Sequence, residues 1–131
     1  LEGEDMDFSS YNDKCLSLIV GKNLNVIDFP MDYIEFDFDG LIFAALALPI
    51  VFFKDGRSVY SSFSQYTESL LGLVGQKVSS VLETKTKLEI TFENENKIIV
   101  PLDAEMPNGP EMATLSGMGK FIGEWSKPEF L

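Results

Sequence analysis

The chain has 131 residues, of which 21 are acidic and 10 basic, so its formal net charge is −11 and it contains no histidine. That balance opposes binding to nucleic-acid phosphates and docking on anionic lipid, since like charges repel and no counterions are released. The length is that of a single domain, 1–131, and an apolar content of 45% suffices to bury a core without staples.

Leu1-Glu2-Gly3-Glu4-Asp5 is acidic where a secretory signal would be basic; it reads as a cloning remnant or disordered start, with Met6 as the native start. Two copies of one pattern follow, at about 8–48 and 63–102. Phe8-Ser9-Ser10-Tyr11 matches Phe63-Ser64-Gln65-Tyr66, and Leu18-Ile19-Val20-Gly21 matches Gly72-Leu73-Val74-Gly75. In each copy the first segment has apolar residues at helical spacing, Phe8 to Ile19 and Phe63 to Val74. Each predicts a short amphipathic helix ending at a glycine, where positive φ is cheap. Cys15, the single cysteine, falls on the first helix as a small apolar residue. It excludes an intramolecular disulfide framework and fits a reducing, cytoplasmic setting.

After each helix the pattern predicts a three-stranded meander, roughly 22–29, 31–39 and 41–48, then 76–83, 87–94 and 97–102. Strict alternation from Tyr33 to Asp39 puts Ile34, Phe36 and Phe38 on a core face and Glu35 and Asp37 on a wet one. Leu41 to Leu48 lacks alternation, which predicts a central strand covered on both faces. The whole apolar run from Leu41 to Phe53 has 13 residues, interrupted by Pro49, whereas a membrane-spanning helix needs about 20. Ile50 to Phe53 and Arg57 to Tyr60 flank Lys54-Asp55-Gly56 as a hairpin. Beyond Leu102, Pro107-Asn108-Gly109-Pro110 is a loop, a short helix is expected from Pro110 to Ser116, and 118–131 is a tail carrying Phe121, Trp125 and Phe130. Trp125 is expected to dock against the body. The expected fold is therefore α+β: a duplicated helix plus three-stranded antiparallel meander, about six main strands in a sheet or partly open barrel, and a short C-terminal helix.

No motif carries catalysis. Glu35-Phe36-Asp37-Phe38-Asp39-Gly40 has the spacing of the first half of a calcium loop, but the twelfth position, which must supply a bidentate Glu, is Leu46. Glu35 and Glu89 are equivalent carboxylates without a pocket to separate their pKa values. Cys15 has no histidine to activate it, and Gly117-Met118-Gly119-Lys120 lacks the spacing and hydroxyl of a phosphate-binding loop. No catalytic, metal or cofactor residue is assigned, and neither an enzymatic activity nor a small-molecule substrate is expected. The repeat supplies an acidic surface instead: Asp28, Asp32, Glu35, Asp37 and Asp39 from the first copy, with Glu89 and Glu93 from the second, as candidate contacts for a basic partner.

Gly21-Lys22 with Ile34 to Gly40, Gly75-Gln76 with Leu88 to Asn94, and Gly109-Pro110-Glu111 together resemble bacterial immunity proteins. These are the neutralising partners of contact-dependent growth inhibition and related polymorphic toxins. The resemblance implies a non-enzymatic inhibitor that binds its cognate toxin in the bacterial cytoplasm and blocks an active site or an essential surface. Many such toxins are basic nucleases, for which an acidic face mimics the substrate. It identifies no contact residues, so the seven acids stand on the charge argument alone. The alternative expectation is a structural or regulatory accessory domain that self-associates or binds a protein partner, with the acidity serving solubility.

Overall fold

The computed structural model describes residues 15–105 and 109–128. The alternation of Ile34 to Phe38 forms strand β2 (Ile34–Phe38), which buries Ile34, Phe36 and Phe38 and leaves Glu35 and Asp37 on the opposite face. Strands β1 (Leu24–Asp28) and β3 (Leu41–Ala45) flank it in an antiparallel meander. Asp39 and Gly40 close the β2–β3 turn with φ of 52° and 94°, the paired positive values of a two-residue hairpin loop. The Gly40 amide donates to Asp37 Oδ1 at 2.8 Å, fixing the turn to its own strand.

The second copy repeats this meander. Strands β6 (Val78–Glu83), β7 (Lys87–Phe92) and β8 (Lys97–Pro101) are again antiparallel, with Leu88, Ile90 and Phe92 turned inward. The bulge between Leu24 and Val26 recurs between Val78 and Ser80. Each meander is followed by a hairpin: β4 (Ile50–Phe52) with β5 (Ser58–Val59), and β9 (Glu111–Gly117) with β10 (Lys120–Ser126). Each hairpin joins the sheet of the other copy, giving strand orders β1-β2-β3-β9-β10 and β5-β4-β8-β7-β6. The first crossing begins after β3, where the Leu46 and Ala47 amides both donate to the Met112 carbonyl before the chain turns at Pro49.

The inward faces of the two sheets share one buried cluster that includes Phe36, Phe38, Phe43 and Trp125 from the first and Leu88, Ile90, Phe92 and Ile98 from the second. Phe38 and Phe92 stack with ring centroids 6.4 Å apart, and Trp125 sits edge-on to Phe43 at 6.0 Å. A 3-10 turn, Cys15–Ile19, inserts Leu16 and Ile19 into this cluster, and helix α1 (Tyr66–Leu71) inserts Tyr66 and Leu70. The Tyr66 hydroxyl donates to the Pro49 carbonyl. The copies also pair directly, through an antiparallel bridge between Asn23 and Lys77. Around it Gly21 N donates to Val78 O and Gly75 N to Leu24 O, while Val78 N donates to Lys22 O and Leu24 N to Gln76 O.

The α+β expectation is overturned. The fold is nearly all-β: ten strands in two open five-stranded sheets, with one short α-helix among the described residues and no closed barrel. The segment expected as a helix from Pro110 to Ser116 is β9, and the expected tail is β10 as far as Ser126. The reason is a register shift between Trp125 and Ser126 that leaves Met112 and Ala113 adjacent and both buried, erasing the period-two signature of a strand. Trp125 does lie in the core, at 6% exposure. Strand β3 is central, but the helical segments pack against β4 and β6 instead of covering its outer face. Of the expected first helix, residues 8–14 lie outside the described residues, as do 1–5 with Met6, Pro107, Asn108 and Phe130; the described part is the 3-10 turn.

Candidate functional site

The alternation that buries Phe36 and Phe38 aims the intervening side chains at the outer face of the first sheet. Strand register sets two rows across it: Asp28, Glu35, Ala44, Thr114 and Glu124, then Val26, Asp37, Ile42, Ser116 and Phe121. Asp28 and Glu35 are direct cross-strand neighbours, which places their Cβ atoms roughly 5 Å apart. Among the described residues neither carboxylate has a hydrogen-bond or ion-pair partner. The only basic residue in the five strands is Lys120, at the start of β10. Val26 and Phe121 are exposed on the same face, at 45% and 59%.

The seven acids expected as a surface are divided by the fold. Asp28, Glu35 and Asp37 come together on this face. Asp32 lies exposed in the loop joining β1 to β2, beside the exposed Phe29 and Met31. Asp39 is at the other end of β2 and is occupied structurally: its carboxylate accepts from the Asn23 amide and from Asn25 Nδ2, both at 2.8 Å. Those bonds, the Asn23 amide first, hold its carboxyl below the ordinary carboxylate value. Glu93 follows β7 on the other sheet, where its amide donates to the Lys77 carbonyl.

Glu89 lies on the outer face of the second sheet, and its surroundings differ from those of Glu35. Lys87 Nζ reaches it at 2.7 Å and Lys97 Nζ at 3.1 Å, and its side chain is only 13% exposed. Hydrogen bonding from Lys87, then from Lys97, holds its carboxyl below the usual value. Sequence reasoning grouped Glu89 with the free acids and missed both lysines. Alternation alone puts Lys87 on the face of Glu89, two residues away, and β8 brings Lys97 alongside.

Three other features have a closed chemistry. Phe53, Lys54, Asp55, Arg57 and Asn96 line a shallow depression in which the Arg57 guanidinium lies 4.4 Å from the Phe53 ring centre and is paired with Asp55 at 2.9 Å. The half-buried Cys15 thiol is pushed up to about 11, by burial first and by Glu83 second, so it carries no thiolate near neutrality. The Tyr66 phenol is likewise raised by burial. Among the described residues no three His, Cys, Asp or Glu side chains are grouped to hold a metal ion, and no helix is long and apolar enough to cross a membrane.

The outer face of the first sheet thus sets Asp28 and Glu35, which have no partner among the described residues, beside the exposed Val26 and Phe121. No protein-family model matches the chain, and no match is found among curated proteins or solved structures.

Proposed function

We propose that this protein is a non-enzymatic immunity-type inhibitor that binds and neutralises a basic, nuclease-type toxin through the outer face of its first sheet. The observation that carries the reading is the Asp28–Glu35 cross-strand pair, flanked by Asp37 and lacking a cationic neighbour among the described residues. Two carboxylates held side by side repel one another in the free protein, and a basic partner relieves that repulsion on binding. The overall charge of −11 adds long-range steering toward such a partner. The test is affinity capture from the native cytoplasm at low and high salt. One basic protein recovered in stoichiometric amount, associating more slowly as salt rises, supports the inhibitor; recovery of the chain alone refutes it.

A second reading, self-association as an accessory domain, draws on Met118 and Phe121, which are 96% and 59% exposed beside the edge strand β10. Sedimentation of Phe121→Lys separates the two: a dimer that this change dissolves favours self-association. Deleting 118–131 is not a clean test, because it would also remove Trp125 from the core.

A further inference from the structure

The two sheets are built on the same register, so each position in one has a counterpart in the other. Glu35 corresponds to Glu89, since each lies between the paired residues that face the core from its strand, Ile34 and Phe36 in one case, Leu88 and Ile90 in the other. Around Glu89 the cross-strand neighbours are Leu82 and Ile99, and the cations are Lys87 and Lys97. Around Glu35 the same places hold Asp28, Ala44, Tyr33 and Ile42. The second sheet thus shows how this fold satisfies a carboxylate at that position. The first sheet omits both cations, sets an acid where the second has a leucine, and keeps apolar side chains, Val26, Ile42 and Phe121, in the adjoining row.

We infer that the outer face of the first sheet docks a protein segment that brings a guanidinium or ammonium to Glu35 and Asp28, where Lys87 and Lys97 serve Glu89. That segment also lays apolar side chains over Val26, Ile42 and Phe121. The inference rests on the partner-binding reading above and names the chemistry of the partner. Charge complementarity commits it to a basic occupant: the strands of this sheet contribute Asp28, Glu35, Asp37, Glu111 and Glu124 against Lys120 alone, whereas those of the second sheet contribute Glu83 and Glu89 against Lys87 and Lys97. The apolar row makes an aliphatic or aromatic flank next to the cation favourable, because its burial adds to a surface ion pair that is weak by itself.

The test is a titration of the full chain with n-butylguanidinium, followed by carbon NMR of the carboxyl and methyl groups. The expected result is a saturable, concerted shift of Glu35, Asp28, Val26 and Ile42, with Glu89 unmoved as an internal control. Tyr33→Lys/Ile42→Lys, which copies the second sheet's cations onto the first, weakens that binding about fivefold or more, and the isosteric Glu35→Gln does likewise. Equal shifts at every surface carboxylate, or affinity unchanged in both variants, overturn the inference. Its failure is distinct from that of the inhibitor reading. A captured basic protein that binds Tyr33→Lys/Ile42→Lys as tightly as the parent chain removes this face and leaves the inhibitor. Saturable butylguanidinium binding with no captured partner removes the inhibitor and leaves the face.

Discussion

Asn23 forms a backbone bridge with Lys77, the residue that occupies its own place in the second copy. Phe38 stacks on Phe92, which is likewise its counterpart. Both contacts straddle an approximate twofold axis relating the copies, and the four backbone bonds around the bridge fall into two pairs exchanged by that axis.

The ring contact on the axis is directly testable. Phe38→Leu and Phe92→Leu are each expected to cost about 1 to 2 kcal/mol, from lost volume in a fully buried site. The double variant should depart from additivity by about 0.5 to 1 kcal/mol, the worth of a stacked aromatic pair. Urea denaturation of the four proteins reads this, and strict additivity would show that the two rings do not interact.

Glu89 and Glu35 should respond oppositely to loss of charge. Glu89→Gln leaves Lys87 and Lys97 facing each other without their shared carboxylate and is expected to cost about 1 kcal/mol, whereas Glu35→Gln removes a repulsion with Asp28 and is expected to be neutral or slightly stabilising. The carboxyl of Glu89 is depressed in the folded state below its ordinary 4.5, so the folded chain binds fewer protons than the unfolded one. Its contribution is complete above 4.5 and disappears as pH falls through the lower folded value. The gap in unfolding midpoint between the parent and Glu89→Gln should therefore close on acidification, and a gap independent of pH would refute the assignment.

Asp39 should matter for folding more than for binding. Its carboxylate holds Asn23 and Asn25 across the β1 bulge, and its backbone adopts a φ of 52° that asparagine tolerates better than alanine. Asp39→Ala is expected to lower the thermal midpoint more than Asp39→Asn does. A thermal midpoint unchanged in both variants would mean that neither the turn nor the bulge depends on this side chain.

Trp125, the sole tryptophan, donates from Nε1 to Glu83 at 3.0 Å and so links the edge of one sheet to the other. Trp125→Phe is expected to cost about 1 to 2 kcal/mol by circular dichroism, and most of that cost should vanish in a Glu83→Met background, which keeps the length of the side chain but has no carboxylate to accept from the indole. An unchanged cost in that background would assign the loss to packing on Phe43 instead.

Cys15 should react with a thiol reagent far more slowly in the folded chain than after denaturation at the same neutral pH, because burial raises its ionisation to about 11. Equal rates in the two states would show that the thiol is not shielded by the 3-10 turn.

The meanders were legible because their inward positions alternate without interruption, as Ile34, Phe36, Phe38 and again Leu88, Ile90, Phe92. Strands β9 and β10 were not. Met112 and Ala113 are consecutive buried residues, and Gly117 and Gly123 read as breakers. At Gly117 the reason is spatial: a Cβ there would lie 2.7 Å from Leu41 Cδ2, so glycine keeps β9 close to the chain it pairs with. The acidic face was legible as composition along one hairpin, but pairing is a matter of register. Nothing in the sequence of β7 alone says that Lys97 will arrive beside Glu89, or that the corresponding place near Glu35 is filled by Ile42.

Because each copy lends its hairpin to the opposite sheet, neither half possesses a complete sheet of its own. Melting the second half would strip two strands from the first sheet and leave the β4–β5 hairpin without β8, the strand it joins, so a state with one half ordered has no stable resting point. The segment joining Val59 to Tyr66 is consequently not what keeps the halves together; a protease cut there would leave two fragments clasped by strands that each has already surrendered to the other.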